Sequence, residues 1–334
     1  MNGNRSRRAG VRAGAVGALL ALSACVPGEA DGDPGRAGRP AGKSVPYWTD
    51  PGSRAWRQVR DHIAEGDEAK ARLIRRIASR PVARWVGPDD SAADVRTYTE
   101  QAARAGRDGL LVLYNIPHRD CGQYSAGGAS GGAAYRAWIE GVAGAVGDRR
   151  VTVILEPDAV PHLVDGCVPR ELHRERYDLL RGAVERLKRQ PGTTVYLDAG
   201  HPGWIPPDRL REPLRRAGID RADGFSANVS NFHPTGAVVD FGHRLSALVG
   251  GKHFVVDTGR NGNGPLPGGD PRDNWCNPPG RALGEPPTVE TGDPLVDAYL
   301  WIKPPGESDG ECRGGPAAGE WWPEYALGLA REAG

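Results

Sequence analysis

A parallel α/β fold, with a sheet of about seven strands either open or closed into a barrel, is predicted by three features of the sequence. From Pro46 onward, short apolar runs alternate with amphipathic stretches over about 290 residues, the pattern of helices laid between parallel strands. Gly (48) and Pro (29) are in excess for a chain of 334 residues, which points to many irregular loops and away from a helical bundle. The 39% of hydrophobic residues suffices for a sizeable core, and no internal repeat divides the chain. With 43 basic and 42 acidic residues the net charge is +1, so nothing marks a partner such as nucleic acid.

Residues 1–25 carry Arg5, Arg7, Arg8 and Arg12 without an acid, then a small-residue apolar run that ends in Leu22-Ser23-Ala24-Cys25. The run falls short of the roughly 20 apolar residues of a membrane span and is expected to be an export signal. Leu-Ser-Ala-Cys resembles a bacterial lipobox, which would make Cys25 the lipidated first residue of a secreted, surface-attached lipoprotein; ordinary cleavage near Ala24 is the alternative. Removing the four leader arginines takes the net charge from +1 to −3 and leaves four of the five cysteines. Residues 26–44 lack periodicity and are expected to form a flexible linker. Gly42-Lys43-Ser44 within that linker lacks the preceding strand and following helix of a phosphate loop. One folded domain is expected over 45–334.

Within it, strands are expected over 82–86, 109–116, 151–156, 194–198, 224–229, 253–257 and 298–303, with helices such as 92–105, 133–146, 170–188 and 238–248 between them. In either closure, functional side chains gather at the carboxyl ends of parallel strands. Five of the six ends from the second strand onward carry a carboxylate: Asp120, Glu156 with Asp158, Asp198, Asp257, and Glu307 with Asp309. A lone strand-end Asp is usually a turn former or helix cap. Several on one rim repel one another, which serves to push pKa values apart so that one stays an acid while another is an ionised base. Trp85, Trp204 and Trp275 stand at or just past strand ends, suited either to stacking on sugar rings or to satisfied core positions. Acids and aromatics along one cleft point to a glycan chain and to general acid catalysis on a glycosidic oxygen.

The runs 114–121, 155–158, 196–201, 275–277 and 303–309 resemble, in the same order, glycoside hydrolase family 6, the cellobiohydrolases and endoglucanases that cleave β-1,4-glucan with inversion. The resemblance extends from about Tyr47 to the carboxyl end. It implies a distorted, partly open parallel (β/α) barrel. It also implies roles: Asp158 as general acid, Asp120 as the neighbour that keeps it protonated and relays a proton, and Asp309 as candidate base. Tyr114 would lie beneath the distorted sugar of the −1 subsite, and Ser125 would hold water. Trp85, Asp198, His201, Trp204, Trp275, Lys303 and Glu307 would contact substrate, as would Asn228, for which, as for Arg260, a loop anchor is the alternative. The resemblance pairs Cys121 with Cys167 and Cys276 with Cys312.

No His pair has the i, i+4 spacing of a metal site and no Gly-x-Ser-x-Gly elbow occurs, so neither metal nor cofactor is expected. The expected partner is a β-1,4-glucan polysaccharide or oligosaccharide, bound by a monomer. Residues 122–126 and 310–319 are short beside the loops that roof a tunnel in chain-end-acting family members, which predicts an open groove and endo-glucanase action. A chain-end cellobiohydrolase and a non-catalytic surface glycan-binding protein are the alternatives.

Overall fold

Among the residues described by the computed structural model, 45–268 and 274–333, seven strands pair in chain order and all in parallel. The expected export signal, Cys25 and the linker lie outside the described residues. The strands are β1 (Arg84–Val86), β2 (Gly109–Leu113), β3 (Val151–Leu155), β4 (Thr193–Asp198), β5 (Gly224–Ala227), β6 (His253–Asp257) and β7 (Val296–Leu300). Helices α1 (Arg54–Ala64) and α2 (Glu68–Ala78) precede β1. Then α3 (Ala92–Arg104), α4 (Gly132–Val146), α5 (Pro161–Val164) with α6 (Arg170–Leu187), α7 (Pro207–Ala217) and α8 (Thr235–Leu248) cross between successive strands, and α9 (Pro323–Glu332) ends the chain.

Side-chain alternation curls this sheet around a core of its own. Leu110, Val112, Ile154, Tyr196, Val255 and Ala298 pack together inside it, while Leu111, Leu113, Val153, Leu155, Val195, Leu197 and Val256 point outward beneath the helices. Both faces are covered, which is why the strands are nearly unbroken apolar runs. The edges β1 and β7 approach without pairing: the Ala83 amide donates to the Trp301 carbonyl at 3.0 Å, and the Trp85 indole to that of Ile302 at 2.9 Å. Near this gap α1, α2 and α9 supply a separate cluster around Trp301 and Leu283. The result is the partly open parallel barrel expected from the sequence.

At the rim, β2 and β7 each stop three residues before their expected ends, and for one reason. Past Leu113 the amides of Asn115 and Ile116 turn onto the Glu156 carboxylate at 2.9–3.0 Å. Past Leu300 those of Ile302 and Lys303 turn onto Asp257 at 3.2 and 3.0 Å. A buried carboxylate from the next strand end replaces the ladder, and hydrogen bonds to a charged acceptor are among the stronger ones. The first expected strand begins at Arg84 rather than at residue 82 because Ala83 bonds across the gap instead.

Candidate active site

The carboxyl ends of the strands open onto a cleft of about 1200 Å³. It is lined by Asp120, Asp158, Asp309, Tyr114, Ser125, His201, Lys303 and Glu307, together with Trp85, Trp204 and Trp275. A volume above that of most small-ligand pockets suits a chain of sugar units.

Asp158 sits where the chain leaves β3 in left-handed backbone, with φ of +50° at Glu156 and +69° at Asp158. Such conformations cost about 1 kcal/mol or more in non-glycine residues and persist where the surroundings enforce them. Here the Asp158 amide is held by Asp198 Oδ2 at 2.9 Å, and the Asp158 carbonyl accepts from the His162 amide at 3.0 Å. Burial, then the charges of Asp198 and Asp120, push the Asp158 carboxyl well above the ordinary carboxyl range. Burial lifts Asp198 to about 6, opposed by hydrogen bonds from the amides of Asp158 and Gly200 and from the Ser226 hydroxyl. The arrangement pushes the pKa of Asp158 above those of its neighbours, the separation that general acid catalysis needs.

Asp120 lies in a short 3₁₀ turn after β2, with φ of +55°, and its Oδ2 accepts the Ser125 amide at 2.6 Å. Burial raises its pKa, the Ser125 amide opposing. The turn is tied down twice. Cys121 is paired with Cys167, and Arg119 reaches back through the loop, donating to the carbonyls of Ser125 at 2.7 Å and Tyr114 at 2.5 Å while lying over the Tyr114 ring.

On the β1, β2 and β7 side, Trp85 meets Tyr114 edge to face at 5.3 Å, and Lys303 Nζ stands 5.6 Å from the Trp85 ring and 4.0 Å from Glu307. Asp309 is clamped: Arg260, 1% exposed, grips both its oxygens at 2.9 Å, and the Asn277 amide donates at 3.0 Å. The second disulfide, Cys276–Cys312, binds the loop of Asn277 to that of Asp309.

The β4 and β5 side has a different character. Trp204 lies among His162, His201 and, beyond His201, His233, and its indole donates to Asp165 at 3.0 Å. Burial drives the His162 pKa down to about 4 and that of His201 to about 3, so both imidazoles are neutral.

Two expected substrate contacts do not line the cleft. Asp198 is 1% exposed, its oxygens occupied by the backbone and Ser226, so it acts from beneath Asp158. Asn228 is 0% exposed and bonds the backbones of Asp257 and His233, which makes it the loop anchor that was its alternative. Arg260 likewise anchors, through Asp309 and the Ser230 carbonyl.

Sequence reasoning missed Arg119, Tyr124, His162 and His233, all of which line the cleft. Arg119 and Tyr124 flank the Asp120 to Ser125 turn, so their positions were signalled by that motif; His233 stands two residues beyond the strand-end run that closes with Asn231. The short loops also meet, since Gly310, at φ +153°, has no Cβ to strike the Tyr124 ring, which lies 6.2 Å from Trp275. The groove expected from those loops is therefore crossed at one aromatic contact.

Comparison with known proteins agrees with this geometry. The profile of glycosyl hydrolases family 6 matches residues 42–333. Endoglucanase A of Cellulomonas fimi is 42% identical over 294 residues, covering 86% of this chain and 61% of that protein. Endoglucanase 1 of Streptomyces halstedii is 39% identical, covering 92% and 95%. The chain thus spans nearly all of one relative and under two thirds of the other. The structure of endoglucanase Cel6 from Mycobacterium tuberculosis, in complex with methyl-cellobiosyl-4-deoxy-4-thio-β-D-cellobioside, superposes with a TM-score of 0.81 at 44% identity, over 87% of this chain and 98% of that one. On its strand order, its rim and these matches, the chain belongs to glycosyl hydrolases family 6.

Proposed function

We propose that this protein hydrolyses internal bonds of β-1,4-glucan with inversion, Asp158 serving as the general acid. The observation that carries the reading is the Asp158 carboxyl, which lines the cleft and whose pKa burial and the charges of Asp198 and Asp120 push well above the ordinary carboxyl range. An acid whose pKa lies above its working pH can give its proton to the departing glycosidic oxygen. Tyr114 and Trp85 would cradle the sugar whose bond breaks, which places the leaving chain over Trp204 and His201. Asp120, with the Ser125 amide on one oxygen, would relay a proton from the attacking water. Asp309 has both oxygens in the Arg260 clamp, which favours a base that draws the proton through water over one that takes it directly.

Internal cleavage is supported by the shortness of loops 122–126 and 310–319 and by the endoglucanase names of the similar proteins. Export and lipid attachment at Cys25 belong to the same proposal and rest on the leader sequence. The test follows viscosity and reducing ends together on soluble carboxymethyl cellulose. An early fall in viscosity with few new ends is expected. Steady release of cellobiose at nearly constant viscosity would show chain-end action, and no new ends would leave only glycan binding.

A further inference from the structure

His201 lines the cleft, and its Nδ1 is buried without a hydrogen-bond partner. Two aromatic neighbours hold this ring in place. One face is tilted against Trp204 at 5.6 Å and 35°, and His233 is stacked on it at 4.7 Å and 25°. His233 is in turn fixed through its backbone: its amide donates to Asn228 Oδ1 at 3.2 Å, and its carbonyl accepts from Asn261 Nδ2 at 3.0 Å and Asn228 Nδ2 at 3.4 Å. Gly203 makes room for the arrangement, because a Cβ there would fall 2.6 Å from His233 Cε1 and 3.5 Å from His201 Nδ1.

We propose that His233 is a positioning residue that acts through His201, locking its imidazole beside Trp204 so that the pair grips the leaving chain. The inference rests on the glucanase reading and deepens it. It differs from a structural role in being selective. The lock matters when a sugar occupies the leaving side and is idle when the leaving group is a phenol without sugar hydroxyls.

The test compares His233→Ala, His233→Phe and Gly203→Ala with the unaltered protein on cellotetraose and on an aryl β-cellobioside. Loss of one stacked ring is expected to raise KM for cellotetraose about three- to tenfold with kcat within about twofold, while the aryl substrate is unaffected. His233→Phe, which keeps a flat ring, should restore KM, and Gly203→Ala, which displaces the ring without removing it, should reproduce the defect. Unchanged KM on cellotetraose, equal losses on both substrates, or no recovery with Phe would overturn the proposal. If the unaltered protein cleaves neither substrate, the glucanase reading fails instead.

Discussion

The two sides of the cleft solve different problems with different chemistry. The β1, β2 and β7 side is built on charge: Arg119, Lys303, Glu307, and Asp309 in its Arg260 clamp. The β4 and β5 side uses ring packing, with three imidazoles around or beyond one indole and with His162 and His201 held neutral by burial. On the proposed glucanase reading, charge develops on the sugar that loses its bond, and a fixed ionic field stabilises it only if it is in place beforehand. The leaving chain acquires no charge once protonated, so it needs a grip that can be released. Asp158 stands between the two.

The comparison can be broken most forcefully on the charged side. Arg260→Met strands a buried carboxylate and is expected to cost about 3–5 kcal/mol in urea unfolding at neutral pH. A loss below about 1 kcal/mol would mean that the clamp does not hold this side together.

Paired substitutions separate the sides kinetically. Trp204→Ala should lower kcat/KM on cellotetraose about tenfold while sparing an aryl cellobioside. Glu307→Gln, on the other side, should depress both substrates alike. The reverse pattern would exchange the assignments.

The smallest effect concerns the floor beneath Asp158. Removing the charge of Asp198 with Asn takes away a like charge that raises the Asp158 pKa. The acid then loses its proton at lower pH, so the alkaline limb of kcat/KM should move down by about one pH unit. An unmoved limb would show that the Asp198 charge does not help to set the Asp158 pKa.

Much of the fold was legible in the sequence, because strands such as Val151–Leu155 and residues 254–257 are buried on both faces and stand out as nearly unbroken apolar runs between polar stretches. The rim acids were legible as a set but not as individuals. Glu156, Asp198 and Asp257 look like Asp120, Asp158 and Asp309 in sequence, yet the first three are buried caps on neighbouring backbone amides. What separates them is which strand end lies alongside, a tertiary fact that spacing does not encode. Spacing left Asn228 open between substrate contact and loop anchor for the same reason, and it does not mark His233, which stacks on a ring at the preceding strand end, His201. The α1 helix hides behind charge, burying only Ala55, Gln58 and Val59.

The most direct measurement compares Asp158→Asn with the unaltered protein on cellotetraose and on a dinitrophenyl β-cellobioside, whose phenolate departs without a proton. With Asp158 as the general acid, cellotetraose hydrolysis should fall about a hundred- to ten-thousandfold while the dinitrophenyl substrate loses less than about tenfold. Equal losses on the two substrates would contradict the assignment of Asp158.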